Sequence, residues 1–275
     1  MSKFFTSRKI FDNVTQIGGL GGELCYLIEG SKKALLIDGL TGVGSLKAFV
    51  RECTDLPVTL VLTHGHVDHA GASFEYGECY VNPADVALLY EHGDIDKRYG
   101  FVMGGGKPEG AFVPKKEDVV PPCAVKTLPV QDGDVFDLGG VQIEAIAVPG
   151  HTAGTMVYLD RRVLYSGDAC NANTLLGLPC STTVETYAKS LDHLATYLKG
   201  IDKFYGGHGL QDVPAYIVDE ALILCEEILN DDDDRFETEF LGRKFLYARK
   251  FDGMFHREDG GIANIAYVME KVYNK

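Results

Sequence analysis

Hydrophobic positions recur with two periods along this chain, and the alternation of those periods sets out its elements. Residues 23–30 (ELCYLIEG) and 32–39 (KKALLIDG) are β-rich runs joined through Gly30 and Ser31, which predicts a hairpin ending at Asp38. Residues 43–53 then place Val43, Leu46, Phe49 and Val50 at helical spacing. Residues 57–65 (PVTLVLTHG) form a short buried strand that delivers His64 at its end. In 78–93 a strand is followed by a helix, with Asn82 as N-cap and Pro83 in the first helical position.

The second half repeats this order. Residues 125–151 supply two or three short strands broken by Asp-Gly and Gly-Gly turns, and residues 154–169 (GTMVYLDRRVLYSGDA) predict a second hairpin, ending at Asp168. The clearest helix lies in 181–200, where Thr182 and Glu185 form a capping-box pattern. Val184, Tyr187, Leu191, Leu194 and Leu198 line one of its faces. The paired hairpins suggest two related α/β halves packed sheet to sheet.

Residues 93–126 interrupt the pattern with a stretch rich in Gly and Pro, expected as a long loop that is either an active-site lid or a plain surface excursion. Tyr99, Phe101 and Phe112 within it are candidates to wall an apolar pocket, or to anchor the segment to the core. An aromatic-rich C-terminal segment occupies 235–275. A single domain over 1–275 is expected.

Composition narrows the function. The 275 residues are 45% hydrophobic, enough for a full core, and no run approaches a membrane span. Seven scattered cysteines without a C-x-x-C pair read as reduced thiols, and no secretory pattern opens the chain, so a cytoplasmic location is expected. A net charge of −14 argues against nucleic acid as a partner and leaves a small-molecule substrate. The acidic run 230–235 (NDDDDR) reads as a solvated helix end or loop rather than a metal site. Oligomeric state leaves no mark on the sequence.

Residues 60–72 (LVLTHGHVDHAGA) carry the chemistry. His64, His66, Asp68 and His69 leave a strand at spacings that let their side chains turn toward one point. Imidazole and carboxylate together suit zinc, and also iron or manganese. Three later positions share the grammar of buried strand, small residue and ligand-capable side chain: His151, Asp168 and His208. Four candidates in the first cluster exceed what one open catalytic zinc takes, so some are outer partners or a second ion is present. His92, His193 and His256 read as non-ligands, His92 as a cation at a helix C-terminus.

In that order, THGHVDHAG, PGHTAG, SGDA and GGHG resemble the signature of the metallo-β-lactamase superfamily of hydrolases. The resemblance implies an α/β fold, an αββα sandwich of two mixed β-sheets flanked by helices, with two divalent metal ions at one edge. It assigns His64, His66 and His151 to one ion, Asp68, His69 and His208 to the other, and Asp168 to both. An aspartate at 168 is similar to the glyoxalase II and lactonase branches, whereas true β-lactamases usually carry Cys or Ser there. The reading is a binuclear hydrolase of a carbonyl ester, lactone or thioester, with Asp68 returning a proton to the leaving group. The alternative is a mononuclear iron persulfide dioxygenase holding its ion through His64, His151 and Asp168. A binding protein with a degenerate site is a third reading, opposed by the complete ligand set.

Overall fold

Three antiparallel strands open the chain, β1 (Thr6–Phe11), β2 (Val14–Gly18) and β3 (Leu24–Glu29), and β4 (Ala34–Ile37) completes the first hairpin with β3. Helix α1 (Leu46–Cys53), capped by the Ser45 side chain, crosses to β5 (Val58–Val61), which pairs parallel to β4. A short α2 (Ser73–Tyr76) leads to β6 (Glu78–Val81). Asn82 caps the 3₁₀ turn Pro83–Asp85 ahead of α3 (Val86–His92). Helix α4 (Ile95–Gly104) precedes β7 (Lys126–Pro129), and the first sheet runs β1 to β7 in chain order. The structure, a computed structural model, describes residues 2–104, 111–161, 163–209, 211–240, 242–253 and 255–275.

The second sheet begins with antiparallel β8 (Val135–Asp137), β9 (Gln142–Ala147), β10 (Met156–Asp160) and β11 (Val163–Gly167). A two-residue β12 (Thr174–Leu175) and helix α5 (Val184–Ala195) follow. Then β13 (Lys203–Gly206) returns parallel to β11, and β14 (Gln211–Pro214) takes the edge before α6 (Ile217–Leu229). Each half therefore has an antiparallel hairpin followed by a crossover to a parallel strand, which is the duplication the sequence suggests. The C-terminal segment adds β15 (Phe236–Phe240), β16 (Arg243–Tyr247) and β17 (Ile265–Tyr267), forming with β12 a third sheet that the two-sheet expectation lacked.

Central strands are apolar on both faces, and the faces divide cleanly by parity. Tyr26, Ile28, Leu35 and Ile37 pack inward against Ile143, Ala145, Met156 and Tyr158 of the other sheet. Their neighbours Cys25, Leu27, Ala34 and Leu36 pack outward beneath Leu46 and Val50 of α1. On the far side Ile146, Val157 and Leu164 meet Tyr187 and Leu191 of α5 and Ala221 and Leu224 of α6. The result is the αββα sandwich.

Several local expectations need correction. The cap of α5 is Thr183, whose hydroxyl accepts from the Thr186 amide at 3.1 Å, so the capping residue is one later than Thr182. Glu185 instead pairs with Lys189 and accepts from the Asn274 amide. Residues 95–104 of the expected loop are helical because Arg98 and Val102, four apart, are buried on one face. Residues 105–110 of that segment lie outside the described residues. The acidic run is not wholly solvated either: Asp233 accepts from the Tyr267 hydroxyl at 2.7 Å and Asp234 from the Lys250 amide at 3.0 Å. Among the described residues, no helix is long and apolar enough to cross a membrane.

Candidate metal centre

The C-terminal ends of β4, β5, β11 and β13 and the loop after β9 meet at one edge of the sandwich. Hydrogen bonds stitch the two sheets together there. Met156 N donates to Thr63 O at 2.7 Å, and Leu24 N to Gly207 O at 2.8 Å. The Tyr158 hydroxyl donates to Leu62 O at 2.8 Å, and that of Tyr26 to Gly206 O at 2.6 Å. The backbone segments that lead into His64 and His208 are thus each held by partners from the opposite half.

At this edge the seven predicted residues converge. Among the described residues, atoms able to bind a cation gather in three groups: His64, His66 and His151; Asp68, His69 and His208; and His64, His69 and Asp168. The first two are the triads that the resemblance assigned, and Asp168 lies between them. Its Oδ2 stands 3.7 Å from Nε2 of His69, of His151 and of His208 alike. Two glycines permit this crowding. A Cβ on Gly207 would stand 2.5 Å from the His69 ring, and Gly167 takes a φ of +50° with a Cβ position 2.5 Å from the Thr63 hydroxyl.

Donor orientation fits a cation. Nε2 of His64, Nε2 of His69 and Oδ1 of Asp168 are buried without a hydrogen-bond partner, an arrangement that costs free energy unless something binds them. Outer ring nitrogens, by contrast, are tied. Nδ1 of His151 faces Leu175 O at 3.1 Å, so that nitrogen carries the proton and Nε2 offers its lone pair to the centre. Nδ1 of His64 lies 3.0 Å from the Thr63 hydroxyl, which itself donates to Asp38. Nδ1 of His69 lies 2.8 Å from Asp38 Oδ2. His66 reverses the pattern, with Nδ1 inward, 2.9 Å from Nε2 of His151, and Nε2 outward, 3.2 Å from Cys180 Sγ.

Electrostatics separate the triads. Burial, reinforced by neighbouring histidines, pushes His64 and His66 well below the ordinary imidazole pKa, and burial also lowers His151. Burial opposes charge on His69 as well, but Asp68, Asp38 and Asp168 outweigh it and raise the pKa to about 10. Against the same burial, Asp168 and Asp68 hold His208 up at about 9. Asp68 is driven far below the carboxylate range because His69 and His208 overcome its desolvation. Without metal, one triad presents neutral imidazoles and the other is a closed ion-pair network.

Four supporting residues carry no sequence signal of their role. Asp38, at a left-handed φ of +69°, orients both His69 and Thr63. Asp85, 2% exposed, accepts from Gly65 N at 2.8 Å, the Thr152 hydroxyl at 2.7 Å and Gly154 N at 2.9 Å. It thereby joins the loop bearing His64 and His66 to the loop bearing His151. Cys180 meets His66 as described. His92 accepts from Val67 N at 3.1 Å and stacks on His66 at 5.2 Å, while burial lowers its pKa. That corrects its reading as a helix-end cation, though it stays outside the three groups. His193 and His256 lie apart, paired with Asp132 and Asp252 at the surface. A cavity of about 290 Å³ between Lys47, Tyr76 and strands β5 and β6 includes none of the clustered residues.

Comparison with known proteins identifies the family and the fold. The sequence model described as the metallo-beta-lactamase superfamily matches residues 18–235. An acyl-coenzyme A thioesterase from Gallus gallus, MBLAC2, is 29% identical over 201 residues, covering 66% of this chain and 71% of its own. The crystal structure of metallo-beta-lactamase IND-7 superposes with a TM-score of 0.58 at 20% identity, covering 82% of this chain and all of its own (100%). The sec-alkylsulfatase Pisa1 from Pseudomonas sp. reaches a TM-score of 0.62 at 16% identity, over 82% of this chain and 42% of its own.

Proposed function

The chain belongs to the metallo-β-lactamase superfamily and is a hydrolase, and from that premise we propose that it cleaves a carbonyl thioester, ester or lactone with two divalent ions. One observation carries the reading: two complete triads face each other across a single carboxylate, Asp168. His64, His66 and His151 would hold one ion, Asp68, His69 and His208 the other, and Asp168 both. The chemistry that such residues would recruit, were two divalent ions held by them, is a hydroxide nucleophile at neutral pH and polarisation of a substrate carbonyl. The similarity to an acyl-coenzyme A thioesterase favours thioesters as the first substrates to try.

The residues of the chain do the rest. Asp38, Thr63, Leu175 and Cys180 hold the outer ring nitrogens of His69, His64, His151 and His66, so the other nitrogen of each of these four rings faces inward. Asp68 stands 2.8 Å from His208 at the less buried side of the centre. In this reading Asp68 would take the proton released on attack and pass it to the departing oxygen or sulfur. A lone-ion centre on His64, His151 and Asp168 would leave the Asp68, His69 and His208 triad without a task. Zinc fits the imidazole-rich donor set, and iron or manganese fits it too.

The test is metal content per chain by mass spectrometry, on protein purified without chelators, paired with turnover of acyl thioesters, esters and lactones. Two ions per chain and metal-dependent cleavage are expected. A single iron with oxygen uptake on a thiol persulfide overturns the hydrolytic reading.

A further inference from the structure

His208 is the open side of the centre: its side chain is 33% exposed, against 9% for Asp68 and 14% for Asp168. What stands at that opening is apolar. The Phe101 ring of α4 lies 6.5 Å from the His208 ring, and it presses on the β2–β3 turn, where a Cβ on Gly21 would come within 2.7 Å of it. Leu20 of the same turn joins Phe101 in a cluster built on Val43, Val102 and Val119, and both side chains are only half-buried.

This wall is anchored. Arg98 is fully buried one turn before Phe101, its Nε donating to Gly93 O at 3.2 Å and a guanidinium nitrogen donating to Val120 O. Its guanidinium lies 5.1 Å from the centre of the Phe74 ring. Val120 N donates to Gly42 O at 2.9 Å, and Val43 bridges to Val119. The other aromatics are tethers: the Tyr99 hydroxyl donates to Pro114 O at 3.4 Å, and Phe112 meets Phe4 edge-on at 5.3 Å. Phe101 alone of the three is turned toward the centre, on a helix fixed beneath it.

Resting on the hydrolytic reading, we propose that Phe101 and Leu20 form a subsite for a hydrocarbon chain of the substrate. A carbonyl at the centre can reach this wall through its acyl chain or through the alkyl part of its leaving group. Either way, lengthening that chain removes apolar surface from water against a ready-made surface, which strengthens binding in ground and transition state alike.

Two substrate series distinguish the sources. In one the acyl group runs from acetyl to decanoyl on a fixed thiol or alcohol; in the other acetyl is fixed and the alkyl leaving group lengthens. One series should show kcat/KM rising with length. In Phe101→Ala the ratio of kcat/KM for the longest over the shortest member of that series should fall roughly tenfold. Phe101→Leu, which keeps apolar bulk and guards against a folding defect, should retain most of it. An unchanged ratio in both series overturns the proposal, as does an equal loss at every length. A second readout does not need turnover: decanoate or decanol should raise the melting temperature of the wild type more than that of either Phe101 variant, with acetate and ethanol as short controls. Should no ester or thioester be cleaved, the hydrolytic reading fails, and this thermal comparison still decides the subsite. Equal protection of all three proteins overturns it.

Discussion

Asp38 Oδ2 lies 2.8 Å from Nδ1 of His69, while the opposite nitrogen of the same ring faces Asp168 at 3.7 Å. The two aspartates end the two equivalent hairpins of the fold, β3–β4 and β10–β11. One has become an orienting partner and the other a candidate bridging ligand. Asp38→Asn removes the charge that fixes the His69 proton on Nδ1 but keeps the shape. It should lower metal affinity or turnover by about 10- to 100-fold. Equilibrium dialysis of the metal with the purified variant reads this directly, and wild-type affinity would show that Asp38 serves only the backbone turn.

Asp85 joins the two halves beneath the centre, and its loss is expected to be felt first as instability. Replacing it with Ala leaves the amides of Gly65 and Gly154 buried without their acceptor, while the Thr152 hydroxyl keeps the Thr155 hydroxyl at 2.9 Å. At about 1–3 kcal/mol for each of the two unsatisfied amides, the variant should lose about 2 kcal/mol or more in urea unfolding. Asp85→Asn keeps one acceptor oxygen and should fall between. A loss below about 1 kcal/mol for the Ala variant would mean that water replaces the carboxylate at no cost.

The sandwich and the seven clustered residues were legible in sequence because they are local patterns. Parity of apolar residues marks doubly buried strands, and each candidate ligand follows a strand end within a few residues of a glycine. Asp85 and Cys180 had no such mark. Asp85 meets Gly65 and Thr152 from twenty and sixty-seven positions away, and Cys180 meets His66 across 114. Only the folded backbone brings them together. His92 misled because a helix end is a good place for a cation, whereas the Val67 amide needs an acceptor there. Residues 95–104 concealed a helix because their amphipathicity rests on a buried arginine, which counts as polar in any periodicity.

Asp168 is the residue that two ions would share, and its removal should separate chemistry from folding. It lies at the surface of the core with its side chain 14% exposed, and its Oδ1 makes no hydrogen bond. Asp168→Ala keeps the core but removes one of the carboxylates that hold His69 and His208 charged, so near neutrality it should unfold somewhat below the metal-free wild type while remaining folded. Turnover of the best thioester or ester should drop at least about a hundredfold, and bound metal should fall below two per chain. Full activity in this variant would sink the bridging assignment.

The histidines also predict how the metal-free protein responds to pH. His69 and His208 gain carboxylate partners on folding, and their pKa values rise from 6.5 to about 10 and about 9. The stability they contribute is fully present below the unfolded value and is lost as pH climbs through the folded values. His64, His66 and His151 shift the other way through burial, so their contribution is present above pH 6.5 and declines as pH falls below it. Chelator-stripped protein should thus show a melting temperature that peaks near neutrality and sags on both sides. An ion bound by Asp68, His69 and His208 replaces those two protons, so the loaded protein should lose the alkaline sag and release protons on loading. Calorimetry of metal binding in two buffers of different ionisation enthalpy counts them at pH 7.5. About three protons are expected in the wild type, two from the imidazoles and one from the water that becomes the nucleophile, and about one fewer in His208→Gln. No proton release, or an alkaline sag that persists in the loaded protein, would show that this triad keeps its protons and binds no ion.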